Sequence, residues 1–301
     1  MLSLPLPMPS LATGLRNMLH TLMAFGVGLV FALFLMRFPL MFILMFGLVM
    51  HQLYYYLNRG GSLWLTVMGV LAVLLLSMLS VSHEGLAVHV SLNFIWTGWL
   101  AMGMVWLGYL LVPDPRSAPF PRAPGFRPGY SGPAATAALK STAVVLPLAS
   151  LFFTLDLTSY MLVMIFAALF IIKPELSAGK QAGMNSLIST LLGGVFAWVF
   201  YWLIVAVPEY YFYVALMFLT SLFFGINVFS DKPTAKYYNS ALIALLILVN
   251  GSMGEGAGFS EKFIMRVILI TLAVIYIVAV LRVMEILWPA RRVEQRSADQ
   301  K

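Results

Sequence analysis

The sequence predicts an all-α, polytopic membrane protein with about ten transmembrane helices. Of its 301 residues, 61% are hydrophobic and only 10% are charged, and the mean hydropathy is +0.94. Soluble globular domains carry about 25% charged residues, so this chain has too few charges to cover a surface in water. Its apolar residues are instead grouped in runs long enough to cross a bilayer.

Stretches without Asp, Glu, Lys or Arg set the number of helices. A spanning helix needs roughly 20 apolar residues, because each residue adds about 1.5 Å across a hydrocarbon core of about 30 Å. Four such stretches precede a proline-rich segment: 17–36, 38–58, 60–83 and 85–113. Six follow it: 141–155, 157–172, 181–208, 210–230, 237–254 and 267–281. The two stretches beside Asp156 predict two shorter helices that turn at this residue, with one long tilted helix as the alternative.

Proline divides the chain into two transmembrane parts. Segment 113–136 holds seven prolines and has no apolar periodicity, and backbone outside a helix cannot be exposed to lipid. We therefore predict a cytoplasmic linker at 113–136. It joins a four-helix part, 1–112, to a six-helix part, 137–288, and a short cytoplasmic tail follows at 289–301.

Basic residues are unevenly distributed between the two sides of this arrangement. With four plus six helices, both termini and the linker fall on one side, which receives fifteen of the 18 Lys and Arg residues. The other side keeps three: Arg37, Lys262 and Arg266. Because cytoplasmic segments of membrane proteins are enriched in Lys and Arg, both termini are predicted to be cytoplasmic.

The two parts of the chain are related in sequence. Segment 8–28 aligns with 173–193 at a constant offset, which pairs Gly28 with Gly193, and later landmarks keep the same order. Self-similarity of this kind indicates a repeat architecture. The predicted fold is therefore two parallel repeats of four and six helices, and the first lacks two helices found in the second. We expect another subunit to fill the open side of the first repeat, around Gly26 and Gly28.

Several stretches resemble the fusaric acid resistance family of inner-membrane proteins, which includes the aromatic-acid exporters. They are IIKPELSAGKQAGMNSLISTLLGGVFAWVF at 171–200, FFGINVFSDKPTAKYYNSALIALLIL at 223–248 and RFPLMFILMFGLVMHQLYYYLNRGGS at 37–62, with YLLVPDP at 109–115. The chain is most similar to the short branch of this family, which lacks the large cytoplasmic domain. Family members have six helices in each repeat, so this chain departs from the pattern by two helices.

The resemblance implies a function and a set of partners. It implies export of small aromatic or amphipathic carboxylates, or related drugs, across a bacterial inner membrane. It also implies a periplasmic adaptor of the membrane-fusion type and an outer-membrane channel, and we expect a homo-oligomer in the lipid bilayer. Two other functions stay open: a passive organic-anion channel, and a non-transporting membrane scaffold that recruits an adaptor.

The residues for catalysis and cofactor binding are few. The chain has no cysteine, hence no disulfide, no thiolate nucleophile and no Cys-ligated metal. It has no GxxxxGK[ST] loop for ATP, and the His-Glu pair at 83–84 lacks the second histidine of a zinc HExxH motif. Its basic residues lie in short gaps between apolar runs, which is not the pattern of a nucleic-acid-binding face. We therefore expect no enzymatic activity, no cofactor, no metal and no nucleic-acid partner.

Polar residues at membrane depth are candidates for a substrate or proton pathway. Such groups are costly in hydrocarbon, and histidine titrates near neutral pH. The candidates are His20, His89, Asn93, Asp156, Asn185, Asn227 and Asn250. The alternatives are structural, because histidine and asparagine also join neighbouring helices through hydrogen bonds, and Asp156 also suits a periplasmic turn.

Lysines and glycines provide two further groups of candidates. Four lysines flank the predicted cytoplasmic ends of the second repeat: Lys173, Lys180, Lys232 and Lys236. They would concentrate organic anions at an entrance, although the topology rule alone also places lysines there. Four glycines are expected to permit close helix packing rather than contact a ligand: Gly26, Gly28, Gly193 and Gly194.

Overall fold

A computed structural model of the chain describes residues 11–35, 37–111, 126, 128–157, 161–172, 176–230, 234–252 and 259–287. These residues form ten α-helices and no strand. The first four are α1 (Leu11–Leu35), α2 (Pro39–Asn58), α3 (Leu63–Ser82) and α4 (Glu84–Leu111). The other six are α5 (Gly132–Thr154), α6 (Met161–Phe170), α7 (Leu176–Ala206), α8 (Tyr210–Val228), α9 (Ala235–Ser252) and α10 (Phe259–Leu287).

The helices have the length and composition of membrane spans. Among the described residues, seven helices are long and apolar enough to cross a bilayer. Many large apolar side chains on their outer faces are exposed, above all on α4 and α8, and such faces are stable only in lipid or against another apolar surface. The prediction of an all-α membrane protein is therefore confirmed.

The sequence Asn58-Arg-Gly-Gly-Ser explains the sharp turn between α2 and α3. Gly60 has a φ of 84°, a left-handed conformation that glycine adopts without steric cost. The backbone N–H of Gly60 donates to the Leu57 carbonyl at 2.9 Å, and that of Gly61 donates to the Tyr56 carbonyl at 3.0 Å. This pair of bonds is a Schellman motif, which caps the end of α2. Ser62 then caps α3, because its Oγ accepts a hydrogen bond from the backbone N–H three residues later, at 3.3 Å.

The α5–α6 region shows where helix boundaries differ from the predicted ones. Helix α5 begins at Gly132, before the predicted end of the linker at 136. Pro133 occupies the first turn of this helix, where proline leaves no hydrogen bond unmade, and alanines, the best helix formers, follow it. Helix α5 ends at Thr154, and Asp156 lies in the turn after it with a φ of 47°. The stretch 141–172 is thus two helices rather than one.

Helices α1 to α4 and α7 to α10 are packed with the same neighbour relations. In the first set, α1 lies along α3, α4 contacts both of them, and α2 contacts α3. In the second set, α7 lies along α9, α10 contacts both of them, and α8 contacts α9.

A glycine permits close approach of two helices in each set. At Gly28 of α1, a Cβ atom would lie 2.8 Å from the Ala72 Cβ of α3. At Gly193 of α7, a Cβ atom would collide with the Ala241 carbonyl oxygen of α9 and lie 3.0 Å from the Ala244 Cβ. Real Cβ atoms do not come this close, so both contacts need a residue without a side chain.

Helices α5 and α6 lie between the two sets and join them. Helix α5 packs on α2, and both α5 and α6 contact α3 and α10. The Tyr54 hydroxyl of α2 is buried and donates to the Ala168 carbonyl of α6 at 2.9 Å. The Tyr276 hydroxyl of α10 donates to the Val144 carbonyl of α5 at 2.7 Å. The largest apolar core is accordingly built from α1, α2, α3, α5, α6 and α10.

Two residues just before α5 are held against the end of α2. The Arg59 guanidinium lies 4.6 Å from the Phe126 ring centre and 5.3 Å from that of Tyr55, within the range of cation–π attraction. The backbone N–H of Ser131 donates to the Tyr55 hydroxyl at 3.1 Å. We call this end of the bundle the inner end. The outer end is the one with the α1–α2 turn, the α3–α4 junction and the α5–α6 turn.

Candidate functional site

A cavity of about 520 Å³ lies at the outer end of the bundle, between α2, α3 and α5. Ligand pockets commonly have volumes of about 300–1,000 Å³, so this one is large enough for a small molecule. Arg37, from the α1–α2 turn, and Glu84, the first residue of α4, both line it and are exposed. The cavity therefore carries one positive and one negative side chain at its opening.

The deeper wall of the cavity is aromatic and aliphatic. Phe42, Ile43 and Phe153 line it, and Phe42 is only 3% exposed. The Phe153 ring meets that of Phe42 edge to face at 4.9 Å and that of Phe46 at 5.6 Å, which is a favourable aromatic geometry. Below this group the α2 residues Phe46 and Met50 are buried in the main core. The cavity is thus closed toward the inner end.

Ser80 of α3 gives the cavity a buried hydroxyl group. Its side chain lines the cavity and is 8% exposed. Its Oγ has no hydrogen-bond partner among the described residues. Ser77, one turn earlier on α3, is also buried and has an unpaired Oγ, but it does not line the cavity. Buried polar atoms are rarely left unpaired, so Ser80 Oγ would gain a partner if a bound molecule brought a polar atom to this wall of the cavity.

Helix ends add partial charges around the cavity. Pro39, at the start of α2, lines it next to Arg37, and a helix N-terminus carries about half a positive charge. Thr154, the last residue of α5, and Ser80, near the end of α3, also line it. A helix C-terminus carries about half a negative charge. Glu84 adds the N-terminus of α4, so positive and negative helix ends both lie around the cavity.

The predicted pair His89 and Asn93 lies on the exposed face of α4 and does not line this cavity. Asn93 Nδ2 and His89 Nε2 are hydrogen-bonded at 2.7 Å, and both residues are exposed. Thr97, one turn further, donates to the Asn93 carbonyl at 2.6 Å. The two predicted residues are thus brought together, but on the outside of the bundle rather than in its interior.

Two other histidines are partly buried in the first four helices. His20 of α1 and His51 of α2 each have a buried Nδ1 with no hydrogen-bond partner among the described residues. The His51 ring stacks on Tyr55 with the ring centres 6.2 Å apart. Neither lines the outer-end cavity. In the described part of the chain, no three His, Asp or Glu side chains are grouped closely enough to hold a metal ion.

The remaining polar candidates are dispersed. Asp156 is exposed in the turn after α5, close in sequence to the cavity residue Thr154. Asn227 of α8 donates to the Phe223 carbonyl of its own helix at 2.9 Å. Asn185 is partly buried in α7, and Asn250 lies in α9, with its side chain outside the described residues. The structure does not bring these asparagines together with the cavity.

The predicted cytoplasmic entrance involves the first turns of α7 and α9. Lys180 is in α7 and Lys236 is the second residue of α9, and these two helices pack against each other. Their side chains are outside the described part of the structure, and Lys173 and Lys232 lie wholly outside it.

The four glycines differ in their surroundings. Gly28 and Gly193 lie in close contacts between helices of this chain, and Gly194 is buried next to Gly193. Gly26 is exposed, and a Cβ atom there would meet nothing within 4 Å. The expectation that Gly28 faces another subunit is wrong, because α3 already covers it.

The four polar residues of the cavity were missed by the sequence analysis: Arg37, Ser80, Glu84 and Thr154. Arg37 was considered only as one of the three basic residues on the predicted periplasmic side. A basic residue on that side departs from the positive-inside rule, and this departure is itself an indication of function. Glu84 was considered only as part of an incomplete HExxH motif. For Ser80 the sequence gives no signal, because α3 carries other serines and only packing shows which of them lines the cavity.

Comparisons of this chain with protein families, with curated proteins and with solved structures give no significant match. The resemblance to the fusaric acid resistance family therefore stays a prediction.

Proposed function

We propose that this protein is a subunit of a bacterial export system that moves small aromatic and other organic acids, or related drugs, out of the cytoplasm. In this proposal the ten helices are embedded in the inner membrane and both termini are cytoplasmic. The observation that supports it best is the outer-end cavity, where the Arg37 cation lies beside an aromatic wall. An aromatic carboxylate needs these two elements, a charged donor for the carboxylate and an apolar surface for the ring.

The geometry of the cavity suits a release site. It opens at the outer end, which is periplasmic in this orientation, and buried Phe46 and Met50 close it toward the inner end. Export would then require a second conformation in which the inner end opens, as in alternating access. The similar packing of α1–α4 and α7–α10 supports two parallel repeats that move against each other, with α5 and α6 between them.

The inner end has features that would attract an anionic substrate. Lys180 and Lys236 lie in the first turns of two packed helices. Helix N-termini favour anions, and lysine raises the local positive potential. The helix dipole makes these positions unfavourable for lysine, because a helix N-terminus is itself positive. Either the preference for basic residues on the cytoplasmic side or the binding of an anion must outweigh this cost.

Three exposed polar residues on α4, His89, Asn93 and Thr97, support a second copy of the chain as partner. Asn93 lies nine residues into α4, about 14 Å along the axis from its outer end. A polar amide facing lipid at this depth is unfavourable, whereas a hydrogen bond to another helix contributes about 0.6 kcal/mol, and up to about 2 kcal/mol. An amide both donates and accepts, so two copies of α4 would pair symmetrically.

We expect Asn93→Leu to shift the purified protein toward monomer. Asn227→Leu is the control. An unchanged dimer fraction in Asn93→Leu would contradict this contact.

Transport itself is tested by intracellular accumulation of labelled aromatic acids. A strain lacking the gene should accumulate more compound than the wild type, and an uncoupler should abolish the difference, because export against a gradient needs energy. Downhill flux that is insensitive to the uncoupler would instead indicate a passive anion channel. Equal accumulation in both strains would indicate a scaffold.

A periplasmic adaptor and an outer-membrane channel would complete the route out of the cell. Crosslinking in intact cells, followed by identification of the captured protein, tests for the adaptor. Efflux by the reconstituted protein alone would show that the adaptor is not needed for transport across the inner membrane.

A further inference from the structure

We infer that the outer-end cavity binds zwitterionic molecules with an apolar body, compounds in which a carboxylate or phosphate and an ammonium group lie next to an aromatic or aliphatic part. Free aromatic amino acids have this chemistry, and so does the phosphatidylethanolamine head group with its acyl chains. The inference rests on the proposed function only for the source of the ligand, since binding depends on the cavity alone.

The two charged residues of the cavity carry the first step. Arg37 and Glu84 line the same cavity, and neither has an ion-pair partner among the described residues. A simple anion would be attracted by Arg37 and repelled by Glu84, so it would bind more weakly than a zwitterion. A zwitterion satisfies both side chains at once, with its anionic group on the guanidinium and its ammonium group on the carboxylate.

The helix ends separate the two subsites. The N-terminus of α2 lies next to Arg37 and adds to the potential that favours an anion. The C-terminal ends of α3 and α5 contribute Ser80 and Thr154 to the cavity and favour a cation. The ends of α2, α3 and α5 thus favour an anion beside α2 and an ammonium group toward α3 and α5, and Glu84, although it lies at the N-terminus of α4, supplies the carboxylate for the ammonium group.

The aromatic wall accounts for the apolar part of the ligand. Phe42 and Phe153 present an edge-to-face pair to the cavity, and a third ring extends such a cluster favourably. Ser80 provides a buried hydroxyl without a partner among the described residues. A hydroxyl both donates and accepts, so it would bind either polar group of the ligand.

Three compounds that share a phenylethyl group test the charge requirement. The purified protein in maltoside detergent is dialysed against labelled L-phenylalanine, 3-phenylpropanoate, which lacks the ammonium, or phenethylamine, which lacks the carboxylate. One charge-assisted hydrogen bond changes affinity by about 10- to 100-fold, so phenylalanine should bind at least about tenfold more tightly than either of the others. Equal or tighter binding of 3-phenylpropanoate would overturn the inference, and so would the absence of saturable binding for all three.

Charge variants give effects of opposite sign. Glu84→Gln should weaken phenylalanine binding and strengthen 3-phenylpropanoate binding, because the attraction for ammonium and the repulsion of anions disappear together. Arg37→Gln should weaken both and strengthen phenethylamine binding. A merely structural role of Glu84 would weaken all three ligands alike.

Ser80 and Ser77, both on α3, allow a matched test of the Ser80 hydroxyl group. Ser80→Ala should weaken phenylalanine binding severalfold, and Ser77→Ala, also buried and unpaired but outside the cavity, should leave it unchanged. Equal effects of the two variants would overturn the role of Ser80.

Competition by lipids identifies the source of the ligand. If phosphatidylethanolamine displaces phenylalanine and phosphatidylglycerol does not, the cavity takes a zwitterionic head group. If neither displaces it, the ligand is a soluble zwitterion. Displacement by both lipids would show a site that does not discriminate by charge and would overturn the inference.

The two proposals can fail separately. Phenylalanine binding without export would leave the inference intact and refute the transport proposal. Export of 3-phenylpropanoate without phenylalanine binding would support the transport proposal and overturn the inference.

Discussion

Replacing Gly28 by leucine should strongly destabilise the protein, whereas the same change at Gly26, on the same helix, should not. The ideal Cβ of residue 28 lies 2.8 Å from the Ala72 Cβ and 3.2 Å from the Ala72 backbone carbon. Neither atom belongs to a flexible side chain, so α1 and α3 would have to separate. At Gly26 the same Cβ meets nothing within 4 Å.

The expected size of the effect follows from two opposing terms. Overpacking a well-packed contact costs about 1–3 kcal/mol, occasionally more, and leucine adds three carbons beyond the clashing Cβ. Leucine also stabilises a helix by about 0.8 kcal/mol relative to glycine. The net change should be a loss of up to about 2 kcal/mol for Gly28→Leu and a gain of up to about 1 kcal/mol for Gly26→Leu.

The assay is unfolding in mixed micelles with increasing SDS, followed by far-ultraviolet circular dichroism. The account requires a stability difference of about 1–3 kcal/mol between the two variants, because the helix-propensity gain is common to both. If both variants unfold at the same SDS fraction, or if Gly28→Leu lowers only subunit association, the α1–α3 contact described above is refuted.

Three further predictions concern topology, a buried hydrogen bond and a histidine. Reporter fusions after Pro113 and at Lys301 should both read cytoplasmic, and a fusion at Gly254 should read periplasmic, because fifteen of 18 basic residues then lie inside. Tyr54→Phe should cost about 1 kcal/mol in SDS unfolding, since it removes the 2.9 Å bond to the α6 carbonyl. His20→Ala should reduce efflux at normal membrane abundance, because its buried Nδ1 has no partner among the described residues and is available to carry a proton.

Each of these predictions has an outcome that contradicts it. A periplasmic signal at either of the first two fusion sites would refute the arrangement of four plus six helices. If Tyr54→Phe is as stable as the wild type, the Tyr54 hydroxyl group makes no net contribution to the free energy of unfolding. Unchanged efflux of His20→Ala between pH 6 and 8 would make His20 a packing residue.

The sequence was sufficient for features that depend on neighbouring residues in the chain. Apolar runs gave the helical membrane class, and Asp156 marked the turn between α5 and α6. The Gly60-Gly61 pair likewise marks a helix end through its own backbone geometry. The start of α5 was placed too late, because the prolines of 113–136 were taken as one block although Pro133 is compatible with a first helical turn.

The sequence was not sufficient for features that depend on which helix lies opposite. Gly26 and Gly28 look alike in the sequence, and only the position of α3 shows that one is buried and the other exposed. His89 and Asn93 were correctly related by their spacing, yet spacing cannot tell whether their face meets lipid or the bundle. Arg37 and Glu84 are 47 residues apart in the chain, so no local pattern connects them to one cavity.

External thiol modification of a single cysteine at position 80 tests the central claim most directly, because the chain has no native cysteine. In cells that express Ser80→Cys, a membrane-impermeant methanethiosulfonate added outside should inhibit efflux of the labelled aromatic acid, and excess substrate should protect against the inhibition. Ser77→Cys, buried outside the cavity, should export normally under the same treatment. Full modification of position 80 with unchanged efflux would contradict the account, because the cavity would then lie off the transport path.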